Sequence, residues 1–316
     1  MEQILKKYPV PATGLILGLA AAGNLVQSYG EVYRSIFGIL SAALFILMTV
    51  KIVKYPKGLA EALDNPLVAG VFPTFSMSIM LLSTYLKQYA QTTSLALWII
   101  GFIFHITLII WFTKKYVLNL KIKQVFPSWF IVYVGIVVAS VTGPGFKMNA
   151  IGQSAFWFGF VTYPVLLAIV LYRVIRIKEI AEAALPSIAI FAAPASLLLA
   201  GYMNSFETKN IAIVWILVSL SFIMYTAVVI AMFKLLRLKF YPSYSSFTFP
   251  FVISGIAMKL TNGFLINSGQ GISVLKYLVK FQEAAAVVLT LYVLLRYIKF
   301  VLSTDKAATT ANVKAQ

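Results

Sequence analysis

Cysteine is absent from the 316 residues, which excludes disulfides, thiolate metal sites and thiol nucleophiles. Histidine occurs once, at His105, and a lone imidazole without clustered Cys, Asp or Glu does not make a metal site of usual composition. Acidic residues are scarce, with 9 Asp and Glu against 26 Lys and Arg, for a net charge of +17. There is no Walker loop, no serine elbow and no pair of carboxylates placed for acid–base work, so neither an ATP-driven pump nor an enzyme is expected, and no cofactor or metal. A basic excess can mark a nucleic-acid partner. Here no basic stretch is interleaved with the aromatic platforms that such binding uses, so none is expected.

What the chain has in quantity is apolar surface. Hydrophobic residues make up 61% of it and charged residues only 11%, against about half and a quarter in average soluble domains. The apolar residues come in blocks of about 20, the length that crosses a bilayer. These blocks fall at 10–27, 35–54, 66–86, 92–113, 125–143, 152–177, 187–204, 210–236, 245–263 and 273–301. The fold class they predict is an all-α integral membrane protein. Its ten spans would form one domain over 1–302, followed by a disordered cytoplasmic tail at 303–316. MEQILKKYPV has no small-residue cleavage site behind a short apolar core, so the first span reads as retained.

The basic residues orient the spans. Seven of the 26 (Arg34, Lys87, Lys147, Lys209, Lys259, Lys276 and Lys280) fall toward one side, and the other 19 toward the opposite side. The positive-inside rule then places both termini in the cytoplasm of a plasma (inner) membrane protein. The basic clusters YRVIRIK and FKLLRLKF read as anchors at that face.

An approximate repeat runs through the odd-numbered spans. Each carries a proline: Pro11, Pro73, Pro127, Pro194 and Pro250, one hairpin apart. Pro73, Pro194 and Pro250 lie well inside their spans and predict kinks. The same spans carry small and hydroxylated residues, among them Thr13, Gly14, Gly18, Ser76, Ser196, Thr248 and Ser254. Lipid contact favours large apolar side chains, whereas helix or water contact permits these. Odd spans are therefore expected inside, as five quasi-repeated hairpins around a central pore, with those seven residues as candidate lining.

This pattern resembles the tellurite-resistance/dicarboxylate transporter family, which includes bacterial TehA-type channels and plant slow anion channels. The local matches are TGLILGLAA (13–21), AAPASLLLAGY (192–202) and SFTFP (246–250). The resemblance implies an anion pathway along a five-fold axis, blocked at mid-membrane by a phenylalanine of the ninth span, here Phe249. It also implies homotrimers. Phe247 would point elsewhere, since successive helical residues are about 100° apart. Relatives usually carry a mid-helix proline in the first and fifth inner helices. The matching positions here are Ile16 and about Val132, so those two helices are expected to be straighter.

Together with the anion pathway that the resemblance implies, the residues favour a passive channel, with small anions of the chloride or nitrate class as permeants. The inner spans hold almost no ionisable side chain before Lys259, and an apolar constriction blocks ions by dewetting without fixed charge. The alternative is a secondary transporter for C4-dicarboxylates, sulfite or related oxyanions, with Glu283 as its candidate proton site. Lys259 and Lys280 could make an electropositive outer mouth, or Lys259 could pair with Glu283. His105 reads as a packing or lipid-interface residue of an outer span.

Overall fold

Lipid cannot hydrogen-bond a polypeptide backbone, so a chain this apolar must satisfy its backbone internally, and helices do so within one segment. The computed structural model describes residues 2–303; of the expected tail, residues 304–316 lie outside the described residues. No strand occurs among the described residues. The main segments are α1 (Ala12–Val26), α2 (Glu31–Lys54), α3 (Pro66–Val71 continued by Thr74–Leu86), α4 (Gln91–Phe112), α5 (interrupted, within 129–146), α6 (Asn149–Tyr172), α7 (Ala193–Ser205), α8 (Ile211–Leu235), α9 (Phe249–Asn267) and α10 (Leu275–Leu302). Tight 3₁₀ turns lead into α7 (Glu182–Ala192) and α9 (Pro242–Phe247).

Among the described residues, 8 helical stretches are long and apolar enough to cross a membrane. The two remaining expected spans differ. Segment α1 has 15 residues, about 22 Å of helix, which is short of a hydrocarbon core of about 30 Å. Segment α5 is broken into four short turns.

Burial separates two classes. In the most apolar 18-residue windows of α2, α4, α6, α8 and α10, between 22% and 33% of residues are buried, against 61% to 83% in the stretches that contain α3, α7 and α9. Every residue of α1 except Asn24 is buried. The outer class carries exposed Ile39, Ile46, Ile103, Val161, Ile223 and Leu295, the large apolar side chains that suit lipid. Segments α1, α3, α5, α7 and α9 touch pairwise in a closed ring, α1 against α3, α3 against α5, α5 against α7, α7 against α9 and α9 against α1. Each also packs against the outer helix that follows it.

The three prolines expected to kink their spans stand at changes of helix type. Pro73 occupies the turn between the two parts of α3, while Pro194 and Pro250 lie in the first turns of α7 and α9. All three lie inside longer helical stretches, Pro66–Leu86, Glu182–Ser205 and Pro242–Asn267. Each starts a new α-helical run, where the missing N–H costs little and the fixed φ is already helical. The α-helical runs of α3, α7 and α9 are therefore interrupted or begun at these prolines.

Of the two helices expected to be straighter, those carrying Ile16 and Val132, only the first runs uninterrupted. Segment α1 is continuous, but α5 runs as Trp129–Tyr133, Gly135–Val137, Val138–Thr142 and Gly143–Phe146. Its break needs no proline. A Cβ on Gly135 would lie 2.8 Å from Met77 Sδ and 3.2 Å from His105 Cε1. The His105 imidazole bridges segments here, with Nδ1 2.8 Å from Ser76 Oγ and Nε2 3.1 Å from the Val132 carbonyl. His105 is thus a fully buried packing residue between α3, α4 and α5, and the lipid-interface reading of it fails.

Candidate functional site

Two cavities lie between the inner segments, and all five segments line both. The first touches Gly14 of α1, Thr74 and Met77 of α3, Phe130 and Val134 of α5, Pro194 and Leu197 of α7, and Phe249 and Pro250 of α9. The second touches Asn24, Leu81, Val138, Thr142, Leu197, Asn204, Phe249 and Ile253. In every segment the residues of the second cavity follow those of the first along the chain. The cavities are therefore stacked along the parallel inner rods. They share two residues, Phe249 and Leu197.

The cavities differ in size. The first has a volume of about 30 Å³ and the second about 270 Å³. A single water needs about 10–15 Å³ by this measure, so the first holds on the order of two waters and the second many more. No Asp, Glu, Lys, Arg or His lines either one.

Phe249 is buried, and its neighbours explain why it faces the cavities. Phe247 is packed edge-on against Tyr244 at 4.7 Å and Phe251 against Tyr225 at 5.4 Å. Among the described residues no aromatic ring packs on Phe249. Its backbone position is set by Gly18: a Cβ there would lie 2.4 Å from Thr248 Oγ1 and 3.1 Å from the Phe249 nitrogen. Only glycine lets α1 approach this closely. Gly18→Ala is expected to lower stability by about 1–3 kcal/mol, as overpacking does, and thermal unfolding in detergent reads the change.

The structure turns most of the candidate lining residues away from the cavities. Gly14 lines the first cavity. Thr13 donates to the Val10 carbonyl, and Thr248 donates to Ser245 and Gly14 carbonyls at 2.7 and 3.0 Å. Ser76 bonds to Pro73 and His105. Ser196 Oγ lies 2.7 Å from Ser221 Oγ and 2.9 Å from Ser254 Oγ, joining α7, α8 and α9. Thr13, Gly18, Ser76, Ser196, Thr248 and Ser254 therefore serve helix contacts. The error has a physical source: a small or hydroxylated residue suits a helix interface as well as water, and one sequence does not separate the two. Leu197 was missed because a leucine in a membrane span carries no signal of its own. Its position one turn after Pro194 is the only hint.

The charged candidates also resolve. Lys259 Nζ lies 2.5 Å from Glu283 Oε1, 2.6 Å from Ser28 Oγ and 2.9 Å from the Leu25 carbonyl. Tyr29 donates its hydroxyl to Glu283 Oε2 at 2.6 Å, and this bond raises the phenol's pKa. The cluster ties α9 and α10 to the end of α1 and touches neither cavity. Lys259 is neutralised by its partner, which corrects the reading of it as free mouth charge; Lys280 is exposed.

A family profile described as "Voltage-dependent anion channel" (SLAC1) matches residues 8–298. The chain belongs to the voltage-dependent anion channel family. This is the family that the TGLILGLAA, AAPASLLLAGY and SFTFP segments resemble, and membership makes the chain an integral membrane transport protein. It is also similar to an uncharacterized transporter of Methanocaldococcus jannaschii, 25% identical in an alignment 221 positions long that covers 61% of this chain and 64% of that protein. The match thus spans a little under two thirds of that relative's length.

Proposed function

We propose that this family member is a passive channel for small anions, chloride or nitrate in class, with Phe249 and Leu197 closing the pathway between the two cavities. One observation carries the reading: two stacked cavities, each lined by all five inner segments and by no charged side chain, meet only at two apolar residues. A constriction of this kind stops ions by dewetting. A carrier that clamps an oxyanion at mid-membrane would call for a cation there, because an unpaired anion away from water is very costly. Such a cation is missing from both linings.

In this proposal the short α1 and the interrupted α5 complete ten crossings, arranged as five hairpins about a central pathway. Both termini face the cytoplasm of a plasma membrane, and the protein assembles as a homotrimer. The test is electrical. Protein in planar bilayers under a salt gradient should show an anion-selective reversal potential, with current that keeps rising with anion concentration. Saturable, electrically silent exchange would instead establish a carrier.

A further inference from the structure

We propose that the second cavity holds a monovalent anion at the amide nitrogen of Asn24, a donor aimed and polarised by Arg34 behind it. The inference rests on the conduction reading above and names where the anion stops.

Asn24 is the one residue of α1 that keeps solvent exposure, and it lines the second cavity. Arg34 Nε donates to Asn24 Oδ1 at 3.0 Å. A planar amide carries its oxygen and its NH₂ on opposite sides. With the oxygen held toward Arg34, the NH₂ is directed away from it, and it has no partner among the described residues. The other polar groups of the cavity are committed elsewhere. Thr142 donates to the Val138 carbonyl and accepts from Trp98. Asn204 turns its nitrogen to the Ala200 carbonyl, and Gln27 turns its nitrogen to Glu31.

Arg34 is well placed to lend charge through this bond. Its guanidinium lies 4.5 Å from the Tyr85 ring centroid, donates to the Thr84 carbonyl at 3.3 Å, and its side chain is 15% exposed. Its counter-charge, Glu31, is 3.6 Å away and 64% exposed. Water screens the carboxylate far more than the guanidinium. A hydrogen bond whose acceptor is already bound to a cation polarises the group that carries it, so the Asn24 NH₂ becomes a stronger donor. The cavity thereby gains positive potential without a charged lining residue. Its volume leaves room for several waters, so the ligand is a partly hydrated halide or nitrate.

The experiment uses the full chain carrying Phe249→Ala, so that current is available to read. Chloride-to-potassium permeability is taken from reversal potentials under a potassium chloride gradient. Asn24→Leu should lower that ratio about tenfold, the loss of one hydrogen bond to an ion, and Asn24→Asp should lower it further. Arg34→Gln should match Asn24→Leu, and combining the two should add nothing, because Arg34 acts through Asn24. Unchanged ratios in Asn24→Asp, with current intact, would overturn the site and leave the channel reading standing. No anion current in Phe249→Ala itself would remove both. A second measurement avoids the variants: crystals of the native chain soaked in bromide should show anomalous density beside Asn24 Nδ2. Bromide in the second cavity away from Asn24 counts against the proposal.

Discussion

Replacing Phe249 by alanine should raise anion conductance by about an order of magnitude or more, because an apolar plug controls hydration of the pathway steeply with its radius. The benzyl group borders both cavities, and among the described residues no other aromatic ring packs on it. Removing it joins the small first cavity to the larger second one. Leu197 shares the same level, so Leu197→Ala should also raise conductance, by less, since it removes a smaller group. The double variant should exceed the product of the two effects, because either residue alone still narrows the opening; neighbours that share a contact are not additive. Single-channel recording of the four proteins checks this. An increase in Phe249→Ala with none in Leu197→Ala, alone or combined, would make Phe249 the sole barrier.

The second large effect concerns stability. Lys259→Met should lower it by about 2–3 kcal/mol. The variant leaves Glu283, whose side chain is 7% exposed, without its cation, and breaking a buried pair from one side is costly. Glu283→Gln should cost less. Lys259 keeps Ser28 and the Leu25 carbonyl, and at 33% exposed it also keeps water. Joint replacement by methionine should recover much of the loss, since a buried ion pair is often neutral against an apolar pair of similar volume. Thermal unfolding in detergent measures each step. Anion selectivity should change little in all three, because neither residue lines a cavity. A fall in anion current in Lys259→Met at unchanged stability would restore the electropositive mouth.

The inside and outside of this bundle were legible from side-chain size. Val, Ile and Leu crowd α2, α8 and α10, where lipid is the solvent, whereas Gly, Ala and Ser crowd α1 and α7, where another backbone lies against them. A place for Phe249 facing the space between the inner segments was suggested only by the SFTFP resemblance. Its neighbours Phe247 and Phe251 are chemically identical to it. What separates the three is that Tyr244 and Tyr225 cover two of them and leave the third to the cavities.

By itself the sequence determined that this chain is helical, membrane-spanning and almost free of charge within its inner segments, because length and hydropathy report directly on the solvent that each segment meets. Tertiary structure alone decided which hydroxyls face a cavity and which join helices, that Leu197 stands beside Phe249, that Lys259 is neutralised, and that α5 breaks at a glycine beside His105. Each of these depends on which side chains approach across segments distant in the chain, and no local pattern records that.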